Sequence, residues 1–375
     1  LAEAERKTTP DHEENPELAA LRERIDAVDR ALLEALNQRA ELVRQVGALK
    51  ERTGASVYEP GREREIVSRL VHANAGPFPD VGLGPVFREI ISATRSLEAP
   101  LSAAYLGPEG TFSHLAARRQ LGAQARLQAL PSIGDVFAAV ARGKLDLGVV
   151  PIENTIEGIV TASYDALARH DVQICAEALL PVSLHLLSRS GERSDVRRVA
   201  SHPQPLGQCR GWLDRHLADA ERVETPSTAA AARLAAADGS VAAIASAIAA
   251  EVYGLRTVEA AIEDRAENTT RFLVIARDAW PAPSGSDLTS VVFTLRQDEP
   301  GALQRLLQPF ARCGVNLTSL QLRPIKDKSW EYLFFLDVEG HRSEPAVGEA
   351  LEAASAVALS HRILGSFPRA RAELR

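Results

Sequence analysis

Leu18, Leu21, Ile25, Val28, Leu32, Leu36, Val43, Val46 and Leu49 fall mostly three, four or seven residues apart, a spacing that predicts one long amphipathic helix. No proline interrupts residues 17–57, and Gly54 ends the run. A helix of ~35 residues is roughly 50 Å long, too long for a small domain to cover alone. Its stripe therefore needs returning helices or a partner chain. Gly61 to Asn74 and Val81 to Leu97 read as returning helices, separated by the breaker run AGPFPDVGLG. The pattern predicts an intertwined helical dimer.

From residue 102 to about 279 the period changes. Short apolar runs such as AAYLG, LDLGVVPIE and VAAIAS alternate with helical patterns such as FSHLAARRQLG and AIAAEVYGL. This alternation predicts α/β architecture in two lobes with a cleft between them. WPAPSGSD, residues 280–287, has the composition of a linker. Beyond it the order strand, helix, strand, strand, helix, strand predicts a ferredoxin-like α+β unit. The expected plan is a disordered tail at 1–15, an all-α domain at 16–99, an α/β domain at 101–279 and the α+β domain at 288–370.

Composition narrows the function classes. The net charge of −7 gives no support to a broad nucleic-acid face. Cys175, Cys209 and Cys313 are too scattered for a CxxC pair or a disulfide framework, which fits a reducing cytoplasm. No apolar run reaches membrane-spanning length, and the first 16 residues are too polar for a signal peptide. Neither a membrane nor a nucleic-acid partner is expected.

The stretch AAYLGPEGTFSH, residues 103–114, reads as a strand, a glycine turn and a helix start, the layout of an anion site. It lacks the G-x-G-x-x-G spacing of a dinucleotide fingerprint, so a nicotinamide oxidoreductase is disfavoured. In the long helix, Arg39 and Lys50 are eleven residues apart and share a face. Arg22 lies about 100° around the helix from Arg39 and suits a different pocket, such as one in a partner chain. Taken singly, other residues have plain structural readings. Asn154-Thr155 fits a turn, Ser227-Thr228 a helix cap, His202 before Pro203 a surface turn, and Thr270 a strand edge.

LRERIDAVDRALLEALNQRAELVRQVGALK, YEPGREREI and FREIISATRSLE, in that order, resemble the all-helical chorismate mutase family. The resemblance implies an active site of Arg22, Arg39, Lys50, Glu59, Arg62, Glu63, Thr94 and Glu98, with Arg22 donated across a dimer. Rearranging chorismate to prephenate is a concerted step that needs no nucleophile, metal or cofactor. The protein holds a folded dicarboxylate and stabilises charge developing on the ether oxygen, work suited to arginine and lysine. Glu98 stands where other members have glutamine. A glutamate there donates a hydrogen bond only when protonated, so mutase activity is expected to fall as pH rises.

YLGPEGTFSH, DLGVVPIENTIEG, SHPQPLGQC, STAAAARLAA and EDRAENTTRFLVI resemble prephenate dehydratase, again in order. The resemblance implies a two-lobed, periplasmic-binding-protein-like fold with Thr270 as the essential residue. Prephenate loses carbon dioxide and its ring hydroxyl, aromatisation drives the step, and a positioned proton donor is what the protein must supply. Implied substrate-binding residues are Thr111, Ser113, Glu153, Asn154, Ser201, His202, Gln208, Ser227, Thr228, Arg271 and Phe272. Arg271 is expected to meet a carboxylate together with the glycine turn. Arogenate as the substrate stays open.

The last segment resembles an ACT domain, an amino-acid-sensing unit. Gly301, Ala302 and Leu303 match one motif of its phenylalanine site. The second motif, Glu-Ser(or Thr)-Arg-Pro in relatives, reads Gln321, Leu322, Arg323, Pro324 here. The resemblance thus implies a homodimeric or homotetrameric bifunctional enzyme making phenylpyruvate, with L-phenylalanine as a weakened or altered effector.

Overall fold

A computed structural model describes residues 15–53, 58–265, 267–295, 299–325 and 332–370. The expected disordered tail lies outside the described residues except for Asn15. The chain divides into two units, one ending at Ala55 and one starting at Ser56.

The first unit is the helix α1 (Pro16–Thr53), 38 residues long. Asn15 caps it, its Oδ1 accepting from the Glu17 amide at 3.0 Å. The apolar stripe is left open to solvent. Ile25, Val28 and Leu32 are each 57–60% exposed, and Leu18, Leu21, Leu36, Val46 and Leu49 are exposed beside them.

The second unit opens with α2 (Pro60–Ala73) and α3 (Asp80–Arg95), close to the returning helices the pattern predicts. Proline at the first position of α2 suits a helix start. Next come β1 (Ser102–Leu106), α4 (Phe112–Leu121), β2 (Arg126–Leu130), α5 (Ile133–Ala141), β3 (Leu147–Asn154), β4 (Gly158–Ile159), α6 (Thr161–Arg169) and β5 (Gln173–Pro181). The chain then crosses to a second lobe. This comprises β6 (His185–Ser188), β7 (Arg198–Ser201), α7 (Pro203–Gln208), α8 (Arg210–His216), β8 (Glu221–Glu224), α9 (Thr228–Ala237), β9 (Val241–Ala245), α10 (Ala247–Tyr253) and β10 (Arg256–Glu259). It returns through β11 (Thr269–Ala276).

The first lobe's sheet runs β2-β1-β3-β11-β5 with β4 on β3, and the second lobe's runs β10-β6-β9-β7-β8. β11 is antiparallel to both neighbours, because the chain comes back from the other lobe rather than through a crossover helix. The two crossings bring the ends of β3, β11, α7 and α9 to one place.

The α+β segment comprises β12 (Asp287–Thr294), α11 (Ala302–Arg312), β13 (Leu317–Pro324), β14 (Tyr332–Glu339), α12 (Pro345–Val357) and β15 (Ser360–Pro368), with sheet order β13-β14-β12-β15. Its free sheet face packs onto the first lobe. Leu288, Val292, Phe335, Leu364 and Phe367 share one core with Ile152, Tyr164, Leu167 and Ile174. The approach is backbone to backbone at Gly365, where an added Cβ would collide with the carbonyl of Ile174.

Helices α2 and α3 are docked on the first lobe too. Buried Tyr58 joins that lobe's core and accepts from Gln120 Nε2 at 2.8 Å. Arg95 pairs with Glu63, donates to the Leu121 carbonyl at 2.6 Å and stacks over the Tyr58 ring.

Candidate active site

The two chain crossings enclose a cleft of about 250 Å³ between the lobes. Its lining includes Asn154, His202, Gln208, Ser227, Thr228 and Thr270, six of the positions singled out in the sequence. They come from four separate elements, so only the fold unites them.

The centre is a hydrogen-bond chain. Asn154 sits at the end of β3, and its Oδ1 accepts from the amides of Ile156 at 2.9 Å and Glu157 at 3.0 Å. Amides are donors only, so this turn fixes which end of the Asn154 side chain is oxygen. The Nδ2 end therefore donates, to Thr270 Oγ1 at 2.9 Å and to Asn268 Oδ1 at 2.7 Å. The Thr270 oxygen is occupied as an acceptor, which leaves its own proton for a group in the cleft. The turn is what aims the Asn154 amide.

The second lobe supplies a rim of polar side chains. Ser227 caps α9, its Oγ accepting from the Ala230 amide at 3.0 Å, and Thr228 begins that helix. The start of a ten-residue helix facing the cleft favours negative charge. His202 caps α7 through Nδ1, which accepts from the Gln204 amide at 3.4 Å. Gln208 Nε2 is buried with no partner among the described residues. None of the thirteen lining residues carries a formally charged lysine, arginine or carboxylate side chain.

Other residues expected at the site lie away from the cleft lining. Arg271 is next to Thr270 in β11, so it points to the opposite sheet face. There Nε donates to Glu177 Oε2 and Nη1 to Asp337 Oδ2, both at 2.7 Å. Burial opposes its charge, but the two carboxylates outweigh that and hold its pKa above the ordinary arginine value. Glu153 is the register partner of Arg271 and neighbours Asn154 in β3, so it also lies on the side away from the cleft. Phe272 is 1% exposed in the first lobe's core. Ser201 is fully buried and donates to the Ile244 carbonyl at 2.7 Å.

The glycine turn also differs from its expectation as an anion cradle. Thr111 caps α4 and spends its hydroxyl on the carbonyls of Pro108 at 3.0 Å and Leu106 at 3.3 Å. Ser113 is buried. The Gly110 carbonyl accepts from Ser246 Oγ at 2.9 Å and that of Glu109 from Tyr253 OH at 2.8 Å, both from the second lobe. Gly110 has φ +81°, and a Cβ there would meet the Tyr253 ring. The turn is an inter-lobe clasp, and Phe112 alone of the stretch lines the cleft. His114 accepts from the Gly110 amide through Nδ1 at 3.1 Å, and burial pushes its pKa below the usual histidine value.

Sequence reasoning missed Asn268, Phe112 and Gln204. A signal existed for Asn268, which stands two residues before Thr270 and so shares its face of an extended strand.

Among the positions implied for chorismate, Arg22, Arg39 and Lys50 lie on α1, with Arg22 exposed and the other two half-buried. In the second unit, Glu59 precedes α2, and Arg62 pairs with Glu65 at 2.7 Å. Glu63 pairs with Arg95, Thr94 donates to the Ile90 carbonyl at 2.8 Å, and Glu98 is half-buried just after α3. In the C-terminal segment, Gly301 has φ +78° and starts α11, with Ala302 next and Leu303 exposed. Gln321 and Pro324 lie on β13. Arg323, expected at an effector site, instead pairs with Asp165 of α6 at 2.9 Å, while Leu322 is exposed on the other face.

Among the described residues, no group of histidine, cysteine and carboxylate side chains is arranged to hold a metal, and no helix is long and apolar enough to cross a membrane.

A two-lobed α/β cleft of neutral donors, preceded by a helical segment and packed against an ACT-type sheet, defines a multidomain enzyme of small-molecule metabolism. Family models for chorismate mutase type II, prephenate dehydratase and the ACT domain match residues 21–99, 103–279 and 289–356. With 43% identity to the bifunctional chorismate mutase/prephenate dehydratase of Aquifex aeolicus, over 94% of this chain and 98% of that one, the chain belongs to that bifunctional family. Prephenate dehydratase from Arthrobacter aurescens, solved in complex with L-Phe, is 36% identical with a TM-score of 0.67, covering 72% of this chain and 90% of its own. GqqA, described as a novel type of quorum quenching acylase, is 30% identical with a TM-score of 0.66, covering 72% of this chain and 98% of its own.

Proposed function

We infer that the chain is a bifunctional enzyme that rearranges chorismate to prephenate on its helical segment and converts prephenate to phenylpyruvate in the inter-lobe cleft. The observation that supports the second step is the Asn154–Thr270 contact, which occupies the Thr270 oxygen as an acceptor and favours its use as a proton donor toward the cleft. The Thr270 hydroxyl donates to the departing ring hydroxyl as the ring carboxylate leaves as carbon dioxide. The side-chain carboxylate is held by the start of α9 with Gln208 and Asn268. A cation on the departing carboxylate would stabilise the substrate more than the transition state, where that charge is spreading into the ring. A cleft of neutral donors avoids this cost.

The helical segment works as a pair of chains. One chain leaves the α1 stripe exposed, and a second copy laid along it covers the stripe and donates its Arg22. The ACT segment takes L-phenylalanine weakly, because Leu322 replaces a polar group of the motif. Three free cysteines suit a reducing cytoplasm.

Chorismate supplied to the purified chain should yield phenylpyruvate without added metal or cofactor. Prephenate accumulating alone would limit the reading to the mutase, and arogenate consumed in preference would change the substrate. Titration calorimetry with L-phenylalanine tests the effector, and nanomolar-to-micromolar affinity would overturn the expected weakening.

A further inference from the structure

Thr270 and Arg271 are consecutive residues of β11, with Cα atoms about 3.8 Å apart. One faces the cleft and the other faces the ACT sheet. Around Arg271 lies a buried cluster that pairs its Nε and Nη1 and leaves its buried Nη2 without a partner among the described residues. Glu177 of β5 accepts from its Nε and, through Oε1, from the Ala370 amide at 2.7 Å. Asp337 of β14 accepts from its Nη1 and, through Oδ1, from Ser290 of β12. Glu177 is 4% exposed, and the side chains of Asp337 and Arg271 are 14% and 15% exposed. Screening by water is therefore small, and removing one partner leaves a buried charge uncompensated. The register of β11 against β3 shifts immediately after Arg271. Irregularities of this kind re-aim neighbouring side chains.

We propose that Arg271 is a positioning residue for the dehydratase reaction: it ties Thr270 to Asp337 of the ACT sheet, so the seating of that sheet sets the aim of the catalytic hydroxyl. The proposal rests on the dehydratase reading above. It differs from a carboxylate-binding role for Arg271, because the guanidinium lies on the face away from the cleft, with Nε and Nη1 already paired to carboxylates. It also gives the ACT segment a mechanical route to the chemistry. A ligand that shifts β14 by a fraction of an ångström moves Asp337, then Arg271, then Thr270. A second pair of opposite polarity, Arg323 of the ACT segment on Asp165 of the first lobe, holds the same seam.

The test uses the full chain and compares Asp337→Asn, Arg271→Gln and the double variant, with mutase rate measured on the same samples as a check of folding. Asp337→Asn removes a charge and almost no volume, so it carries the test alone if Arg271→Gln fails to fold. The expected result is a dehydratase kcat lowered between about tenfold and 100-fold, the scale for sub-ångström to ångström misplacement. KM for prephenate should stay within about twofold, and the double variant should be no worse than the poorer single one. A raised KM with unchanged kcat in Arg271→Gln would assign the guanidinium to substrate binding. Wild-type kcat in Asp337→Asn would overturn the proposal. A wild-type chain that makes no phenylpyruvate would instead defeat the dehydratase reading itself.

Discussion

Asn154 donates its amide to the hydroxyl of Thr270 at 2.9 Å, and two backbone amides prevent that side chain from turning round. Polarity along this chain runs one way, from the turn through Asn154 to Thr270 and out into the cleft. Thr270→Val should therefore lower dehydratase kcat by about 10²–10⁴-fold, the range for a lost general acid. Asn154→Asp keeps the shape but turns a donor into an acceptor. The Thr270 proton would then point back into the protein, and kcat should fall by about 100-fold with KM little changed. Steady-state kinetics on prephenate checks both; an active Asn154→Asp variant would mean that the hydroxyl direction is irrelevant.

The clasp made by the glycine turn separates stability from binding. Thr111→Ala removes the cap of α4 and should cost about 1 kcal/mol of stability. KM for prephenate should stay near the wild-type value, since the hydroxyl is spent on carbonyls of the turn. If thermal melting is unchanged and KM rises, Thr111 belongs to the substrate site after all.

Three imidazoles predict a pH dependence of stability. Burial lowers the pKa of His114, His170 and His185 in the folded chain. The unfolded chain then binds more protons just below the ordinary histidine value of ~6.5, so stability rises with pH there. It is complete above that value and is lost as pH falls toward the depressed folded values. Urea midpoints at pH 7.5 and 5.5 should differ, with the lower midpoint at pH 5.5. Equal midpoints would show that these rings take up protons as readily folded as unfolded.

The exposed stripe of α1 predicts that the two activities part company on mutation. Val28→Glu puts a charge in the middle of the surface a second chain would cover. Mutase activity should drop at least tenfold and sedimentation should show dissociation, while dehydratase turnover persists. A dimeric, fully active Val28→Glu chain would place the subunit contact elsewhere.

Much of this was legible in the sequence. Period 3.6 placed the three N-terminal helices, and alternating runs placed the lobes. The motif around Asn154 and the one around Thr270 brought together residues that meet in the cleft. What the motifs did not separate was the face each side chain takes. Thr270 and Arg271 are adjacent in a strand, so they cannot both enter one cleft, and Asn268 rather than Arg271 shares the face of Thr270. The fates of Thr111 and Ser201 were not readable, because their partners come from carbonyls set by the turn and by β9.

Gly365 gives the C-terminal segment a different character from a bead on a string. The linker composition of residues 280–287 suggests a detachable module, yet the sheet lies with its backbone against that of Ile174. Exchange of sensory domains among enzymes of this kind is therefore constrained by a seam one atom wide. A grafted domain would need glycine in register at this point before any question of its ligand arises.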